Sequence, residues 1–369
     1  MAEFIRGTGQ AVTPLQHSLE IFKQYMGNMF FKNMMGKRGS GKPIIVDDEL
    51  FRGRGKGDVG RYHFIPQFRG EGIEGQNASV LGNENTLEEF YMDLRLDQIT
   101  QAFRKKGKMT TIRMIWDFRE EAKNQLAEWF RERTERDIIE SLSGYNTDGA
   151  TYVKGAAALT HDAVNGSGRC IRPDYADSKF TCVPVSAANS DTTSLLSALN
   201  AADTMNTVLL DHLQDFAKTG NSKYKMKPIR AKNGEEYYML VLHPKAAIDL
   251  RADARWEKRA LAAMTGNGSL EGDPIATGAI GVWEHIIVKE ADNIKTHTNA
   301  GGTLSFARNL LLGADAAVMA YGQTLDYSEE LLDHKRILST AADEIRGIRK
   351  LTFDGVDLNI AQVPCAITM

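Results

Sequence analysis

The stretch DFREEAKNQLAEWFRERTERDIIESLS, residues 117–143, limits the possible folds most sharply. Asp117 can cap the start of a helix and Gly144 can stop it. Phe118, Ala122, Leu126, Trp129 with Phe130, and, after a polar turn, Ile138, Ile139 and Leu142 form an apolar stripe. Such a helix is a rod of roughly 40 Å. The rest of the fold must be laid along one side of it. Its other faces are thick with Arg and Glu. They suit a solvated surface with i,i+4 pairs, or contacts with other subunits.

Residues 58–97 predict a second unusual element. In Arg61–Phe68, Tyr62, Phe64 and Phe68 share one face, with Arg61, His63 and Gln67 on the other. In Glu89–Asp97, Phe90, Met92, Leu94 and Leu96 alternate with Tyr91, Asp93, Arg95 and Asp97. Period two is the half-buried strand signal. A Gly/Asn-rich stretch, GEGIEGQNASVLGNEN, separates the runs. A two-stranded ribbon is marginal alone in water, so its apolar face needs a cover. No nearby sequence obviously supplies one, which makes a neighbouring subunit a candidate. Tyr62, Phe64, Phe90, Met92 and Leu94 are the candidate inter-subunit contacts.

Residues 1–57 read as an arm. Leu15–Met35 has near-helical apolar spacing (Leu19, Phe22, Met26, Met29, Phe30, Met34) and then dissolves into glycines and basic residues. Such a segment needs an outside surface to become ordered. Beyond the rod, 145–190 is rich in loop residues. Asp191–Lys218 reads as a helix ended by Gly220. Tyr237–Leu242 reads as a buried strand, and Pro244 opens a short helix. Trp256–Met264 is expected to be helical, Val282–Val288 a strand, and Phe306–Tyr321 a helix with small residues for close packing. LTFDGVDLNIAQV alternates like strands.

Chemistry is sparse. GKRGSGKP (36–43) meets three of the four fixed positions of the phosphate-loop pattern through Gly36, Gly41 and Lys42, with Pro43 in place of the hydroxyl. A helix-like segment precedes it and extended chain follows, the reverse of what phosphate binding requires. Gly55, Gly57 and Gly60 spell G-x-G-x-x-G but lead into a strand, which is the wrong context for a dinucleotide fold. The eight histidines are dispersed with no ligand pair. His243 and His285 read as structural residues at or in strands. Asp47/Asp48 and Glu329/Glu330 read as solvated carboxylates. The three cysteines, Cys170, Cys182 and Cys365, form no C-x-x-C pair and suit a reducing compartment. No catalytic site, cofactor site or metal site is expected. No signal peptide or membrane span is expected either. The net charge is −3, so any nucleic-acid contact is local and weak. The arm is locally basic through Lys37, Arg38, Lys42, Arg52, Arg54 and Lys56. Those residues would face packaged DNA or an acidic face of the next subunit, or stand solvated.

Five segments, in order, carry a family resemblance. They are Gly57–Phe90; Asp117–Asp137; Lys227–Asp253 (KPIRAKNGEEYYMLVLHPKAAIDLRAD); Gly272–Glu290 (GDPIATGAIGVWEHIIVKE); and Ala307–Gly322 followed by Gly347–Ile360. Together they resemble the major capsid proteins of tailed bacteriophages, in particular the family of the N-four-like podovirus coat protein. Asn85, Glu284–His285 and Asp315 depart from that pattern. The resemblance implies an α+β, Hong Kong 97-type fold. Its implied parts are an N-terminal arm (1–57), an extended loop or β-ribbon (58–108) and a peripheral domain (109–190) with its spine helix (117–143). An axial domain (191–324) and a return to the peripheral domain (325–369) complete it. The implied role is self-assembly as pentamers and hexamers into the icosahedral shell around a phage double-stranded DNA genome, in the virion, after assembly in the host bacterial cytoplasm. The implied partners are the chain itself, a portal, and scaffold or decoration proteins. Weak non-specific contact with packaged DNA and no contact with membrane are also implied. An encapsulin-like cargo shell is the alternative with the same fold. A nucleotide-binding enzyme built on 36–43 is the alternative from another class.

Overall fold

The computed structural model describes residues 12–47, 49–51, 57–65, 89–105, 107, 113, 117–143, 199–219, 225–231, 234–264, 278–294, 296–298, 304–334, 336–353 and 356–367. Helix α1 (Val12–Asn28) and a 3-10 turn (Phe30–Met34) lead into strands β1 (Met35–Gly36) and β2 (Ile44–Val46). Then come β3 (Val59–Phe64), β4 (Phe90–Arg95), β5 (Asp97–Arg104) and helix α2 (Phe118–Ser143). Helix α3 (Thr207–Thr219), β6 (Ile229–Arg230), β7 (Glu236–Leu242), α4 (Pro244–Arg251) and α5 (Ala254–Met264) follow. Next are β8 (Ala279–Trp283), β9 (Ile286–Glu290), β10 (Thr296–Thr298) and β11 (Ser305–Leu312). The chain closes with β12 (Ala317–Leu332), β13 (Ile337–Lys350), β14 (Thr352–Phe353), β15 (Val356–Asp357) and β16 (Ile360–Ala366).

Two sheets organise these elements. One has the order β1-β2-β12-β13-β5. Its first three strands run parallel and its last three antiparallel. The other has the path β10-β11-β7-β9-β8, with β16 added on β11 and β6 on β7. β3 and β4 form a separate two-stranded ribbon. Helices α1 and α2 pack on the first sheet and on each other.

The rod forms as its sequence dictates. The Asp117 Oδ1 accepts the Arg119 N–H at 3.0 Å, and its carbonyl accepts the Glu121 N–H at 3.2 Å. Glu120 and Glu121 sit in the first turn, where the helix dipole favours negative charge. Ala122, Leu126, Phe130, Ile138, Ile139 and Leu142 are buried as the stripe predicts. The polar turn between them is divided. Thr134, Glu135, Asp137 and Glu140 face inward, so neither the solvated nor the inter-subunit reading holds for those four, while Glu132 is exposed.

Four expectations are corrected. The arm does not wait for an outside surface. Ile21, Tyr25, Met29, Phe31 and Met34 are buried in the chain's own main core, and β1 and β2 join its sheet. Phe306–Tyr321 is not a helix but the end-to-end strands β11 and β12, with a turn at Asp315 (φ 55°). Residues 306–314 and 316–321 are buried. A strand covered on both faces loses its alternation and reads as a helix-like apolar run. Val282–Val288 is not one strand but the hairpin of β8 and β9, turning at Glu284 (φ 49°) with no glycine to signal it. The Asp191–Lys218 helix begins only at Thr207, where the Asn206 Oδ1 accepts the Leu209 N–H at 2.9 Å as an N-cap. Residues 191–198 of that expectation lie outside the described residues. Tyr237–Leu242 and the Pro244-led helix are found as expected.

Lys289 on β9 is 2% exposed, and burial pushes its ammonium down to about 8. The unfolded chain therefore binds more protons between about pH 8 and 10.5, and stability rises with pH across that window. Below it the full cost of the buried charge is present. Lys289→Met is expected to stabilise the chain at pH 7 by about 1–3 kcal/mol. The advantage over wild type should shrink as pH rises towards 10. Paired thermal melts at neutral and alkaline pH check this, and a variant melting below wild type at pH 7 contradicts it.

Candidate functional site

The ribbon and its seat bring together the residues that the sequence singles out. β3 and β4 pair in antiparallel register, with Tyr62 opposite Met92 and Phe64 opposite Phe90. Period two puts Tyr62, Phe64, Phe90, Met92 and Leu94 on one face, as expected. That face is not bare. Tyr62 (2% exposed), Phe64 (8%), Met92 (4%) and Leu94 (1%) are buried against Ile45, Val318, Ala320 and Leu351 of the same chain. Leu50, Phe51, Phe90 and Leu358 close the cluster. The reading that the face lacks its own cover is therefore corrected. The cover comes from the nearby arm strand β2, too short to read as a strand in the sequence, and from β12, far away in sequence.

The opposite face of the ribbon is open. Val59, Ile65 and Tyr91 are 42%, 55% and 60% exposed. Arg61 lies 4.0 Å from the Tyr91 ring centroid and bonds Asp93 at 2.9 Å. That hydrogen bond holds the Asp93 carboxyl below its ordinary value. His63 pairs with Glu89 at 3.1 Å where the ribbon leads towards its tip. Residues 66–88, the Gly/Asn-rich stretch and Phe68 among them, lie outside the described residues.

The basic arm divides. Lys37 and Arg38 are exposed on the loop between β1 and β2, and Lys42 is half-buried at its end. Arg52, Arg54 and Lys56 lie outside the described residues. The Lys42 and Pro43 carbonyls accept the Asp315 and Ala316 N–H groups at 2.9 and 2.7 Å, fastening the loop to the β11–β12 turn. The two-residue strand β1 does run into Gly36, the first residue of GKRGSGKP, against expectation, but β2 follows the motif and no helix starts there. The phosphate-loop context is absent.

Sequence reasoning missed the charged centre beneath the sheet. Arg346 on β13 is fully buried. Its guanidinium donates to Asp137 at 2.8 Å, to Glu344 at 2.9 Å and to Thr134. Burial alone would lower its pKa; the Glu344 and Asp137 carboxylates more than reverse that and raise it above the ordinary value. The Tyr25 hydroxyl donates to Glu344 at 2.7 Å, tying in α1, and burial pushes that phenol well up. One cluster thus locks α1, α2 and β13 together. Lys350 and Asp357 form a second fully buried pair at 2.9 Å. A charge on a strand reads as solvent-facing, so no sequence signal marked either.

The remaining candidates are structural. The His243 Nδ1 accepts the Lys245 N–H at 3.1 Å and caps α4, while burial and Lys245 lower its pKa. His285 sits in the β8–β9 turn, rather than inside a strand, against the Glu236 carbonyl at 3.0 Å. The Asp47 Oδ1 caps a turn through the Glu49 and Leu50 N–H groups, and Glu329 pairs with Arg119 at 3.1 Å. Asp48 lies outside the described residues. Cys365 is buried on β16, and Cys170 and Cys182 lie outside the described residues. Among the described residues no three metal-ligating side chains converge, and no helix is long and apolar enough to cross a membrane.

The fold built from the two mixed sheets, the rod and the ribbon is similar to that of solved phage capsids. The capsid of Ralstonia phage GP4 superimposes with a TM-score of 0.72 at 22% identity, covering 92% of each chain. The capsid asymmetric unit of cyanophage Pam1 does so at 0.70 and 18%, covering 91% of this chain and 92% of that one. The phage capsid protein family matches residues 6–365, and the chain belongs to that family. It is also similar to the major capsid protein of Pseudomonas phage KPP25, with 28% identity over 358 residues, 92% of this chain and 89% of that protein.

Proposed function

We propose that the chain is a major capsid protein whose copies assemble as pentamers and hexamers into an icosahedral shell around a phage double-stranded DNA genome. The family match over residues 6–365 carries the reading. The capsid-like fold supports it, and the encapsulin and nucleotide-enzyme alternatives gain nothing from the family match. The Hong Kong 97-type division into arm, extended loop, peripheral and axial parts is part of the proposal. So is assembly in the host bacterial cytoplasm, with a portal and with scaffold or decoration proteins as partners. The role is that of a structural protein rather than an enzyme.

A shell subunit works by repeating contacts that close on themselves, so individual interfaces can be modest. With the inner ribbon face occupied by its own chain, the open face of Val59, Arg61 and Tyr91 is what a neighbour would meet. Its aromatic and arginine content is typical of interface anchors. The near-zero net charge suits a container that holds DNA without gripping it, since phosphate contacts accumulate steeply in affinity. Electron microscopy of the expressed protein is the test. Closed shells, sheets or capsomer rings are expected. A monodisperse monomer that stays monomeric on concentration contradicts the proposal.

A further inference from the structure

The GKRGSGKP loop carries two basic residues at its tip, and only one is committed within the chain. Arg38 donates to the His63 carbonyl at 2.6 Å and lies 5.2 Å from the Tyr62 ring centroid. Lys37 beside it is exposed, and its ammonium has no hydrogen-bond or ion-pair partner among the described residues. The tip has a defined shape. The Ser40 N–H donates to the Lys37 carbonyl at 3.0 Å and closes a β-turn, whose third residue, Gly39, takes a φ of 81°. A turn already formed loses little freedom when it docks.

Elsewhere on the chain lies a pocket of opposite charge. It opens between the 3-10 turn, α2 and the segment after β9, and holds about 410 Å³. Phe30, Phe31, Ile139 and Ala291 give it an apolar lining. Glu135 is buried there, accepting the Phe30 N–H at 2.7 Å and the Arg131 guanidinium at 3.1 Å. Arg131 is the one cation among the described lining residues, and it is shared. It also donates to Glu128 at 3.1 Å and lies 3.7 Å from Glu132. Two carboxylates are left in surplus at the rim. Glu132 is 64% exposed, and Asp292 is exposed with no hydrogen-bond or ion-pair partner among the described residues. An apolar lining under a carboxylate rim suits lysine, whose methylene stem packs while its ammonium meets the charge. The volume takes a short turn of chain rather than a single ion.

We infer that this pocket receives the Lys37 turn of a second copy of the chain, with the Lys37 ammonium against Glu132 and Asp292. No residue of the loop lines the pocket of its own chain. The contact is therefore head-to-tail: each copy gives one turn and receives one. Repeated contacts of that kind close rings. The inference rests on the proposed shell role and adds one specific contact to it.

Charge reversal in the full-length protein, with no DNA present, tests the contact. The reading is the subunit concentration at half-assembly, followed by light scattering. Lys37→Glu and Asp292→Lys are each expected to raise it about tenfold, as one interfacial charge pair turned repulsive implies. The chain carrying both changes should recover most of the loss, because its pair is reversed rather than broken. Lys258→Glu, the same change at an exposed site on α5, should match wild type. All these positions are exposed, so the unassembled variants should melt with wild type. Wild-type half-assembly in either single variant overturns the contact, as does a double variant no better than its parents. Carbodiimide coupling of shells that mix isotope-labelled and unlabelled copies gives a second reading. A link from Lys37 to Asp292 or Glu132 between differently labelled chains is expected, and its absence contradicts the contact. The two levels fail differently. Wild-type chains that never assemble sink the shell role and the contact with it. Wild-type assembly that Lys37→Glu leaves unchanged sinks the contact alone.

Discussion

Arg346→Ala is expected to lower the unfolding free energy of the unassembled chain by about 3–5 kcal/mol, the largest effect of any charged substitution considered. The reason is what remains behind. Asp137 and Glu344 would keep their charges with no guanidinium between them, in a site that Arg346 fills completely. Coulombic repulsion and lost solvation would then act together. Lysine should not rescue it, because a point charge cannot serve Asp137, Glu344 and Thr134 with one planar fork. The exposed pair of Arg336 and Asp333 is the control. Arg336→Ala should change stability by less than about 0.5 kcal/mol. Urea unfolding of all three variants at neutral pH decides the matter. A loss below about 1 kcal/mol in Arg346→Ala would show that the cluster relaxes or hydrates, and that it is not the lock between α1, α2 and β13.

Leu94→Ala should cost about 2–5 kcal/mol, measured again on the unassembled chain. Leu94 is 1% exposed within the cluster of Val318, Ala320 and Leu351, and its truncation leaves a cavity against Gly347. The choice of material is what makes the test informative. If the ribbon found its cover only on a neighbour, isolated subunits would not register the loss. Destabilisation in isolation, with further loss of particle yield, is the outcome that the intramolecular seat demands. An unassembled variant as stable as wild type would return the ribbon to its neighbour.

Much of the fold is legible in local pattern. The rod over 117–143, the alternation in β3 and β4, the strand at 236–242 and the proline-led helix after it all follow from periodicity and capping. Each departure from local pattern has its own physical cause. β11 and β12 were hidden because strands buried on both faces have no polar face to alternate with. The β8–β9 turn was hidden because Glu284 adopts a left-handed conformation without glycine. The helix that begins at Thr207 was overextended because Asn206, its cap, looks like any polar helix-surface residue until its partner is known.

The candidate site divides the same way. Which residues share the apolar ribbon face is a matter of period two, and the sequence alone settles it. What covers that face is not. β12 lies far from both β2 and β3 in sequence, and no local rule brings the three together. The same holds for Arg38 and His63, or for Arg346 and Asp137, which are separated by 25 and 209 residues. Periodicity, caps and turns act over a few residues, so the sequence determined the elements and their apolar faces. Burial, charge pairing and edge contacts depend on which distant segments the topology brings together, so only the tertiary structure decided the ribbon's seat and the lock.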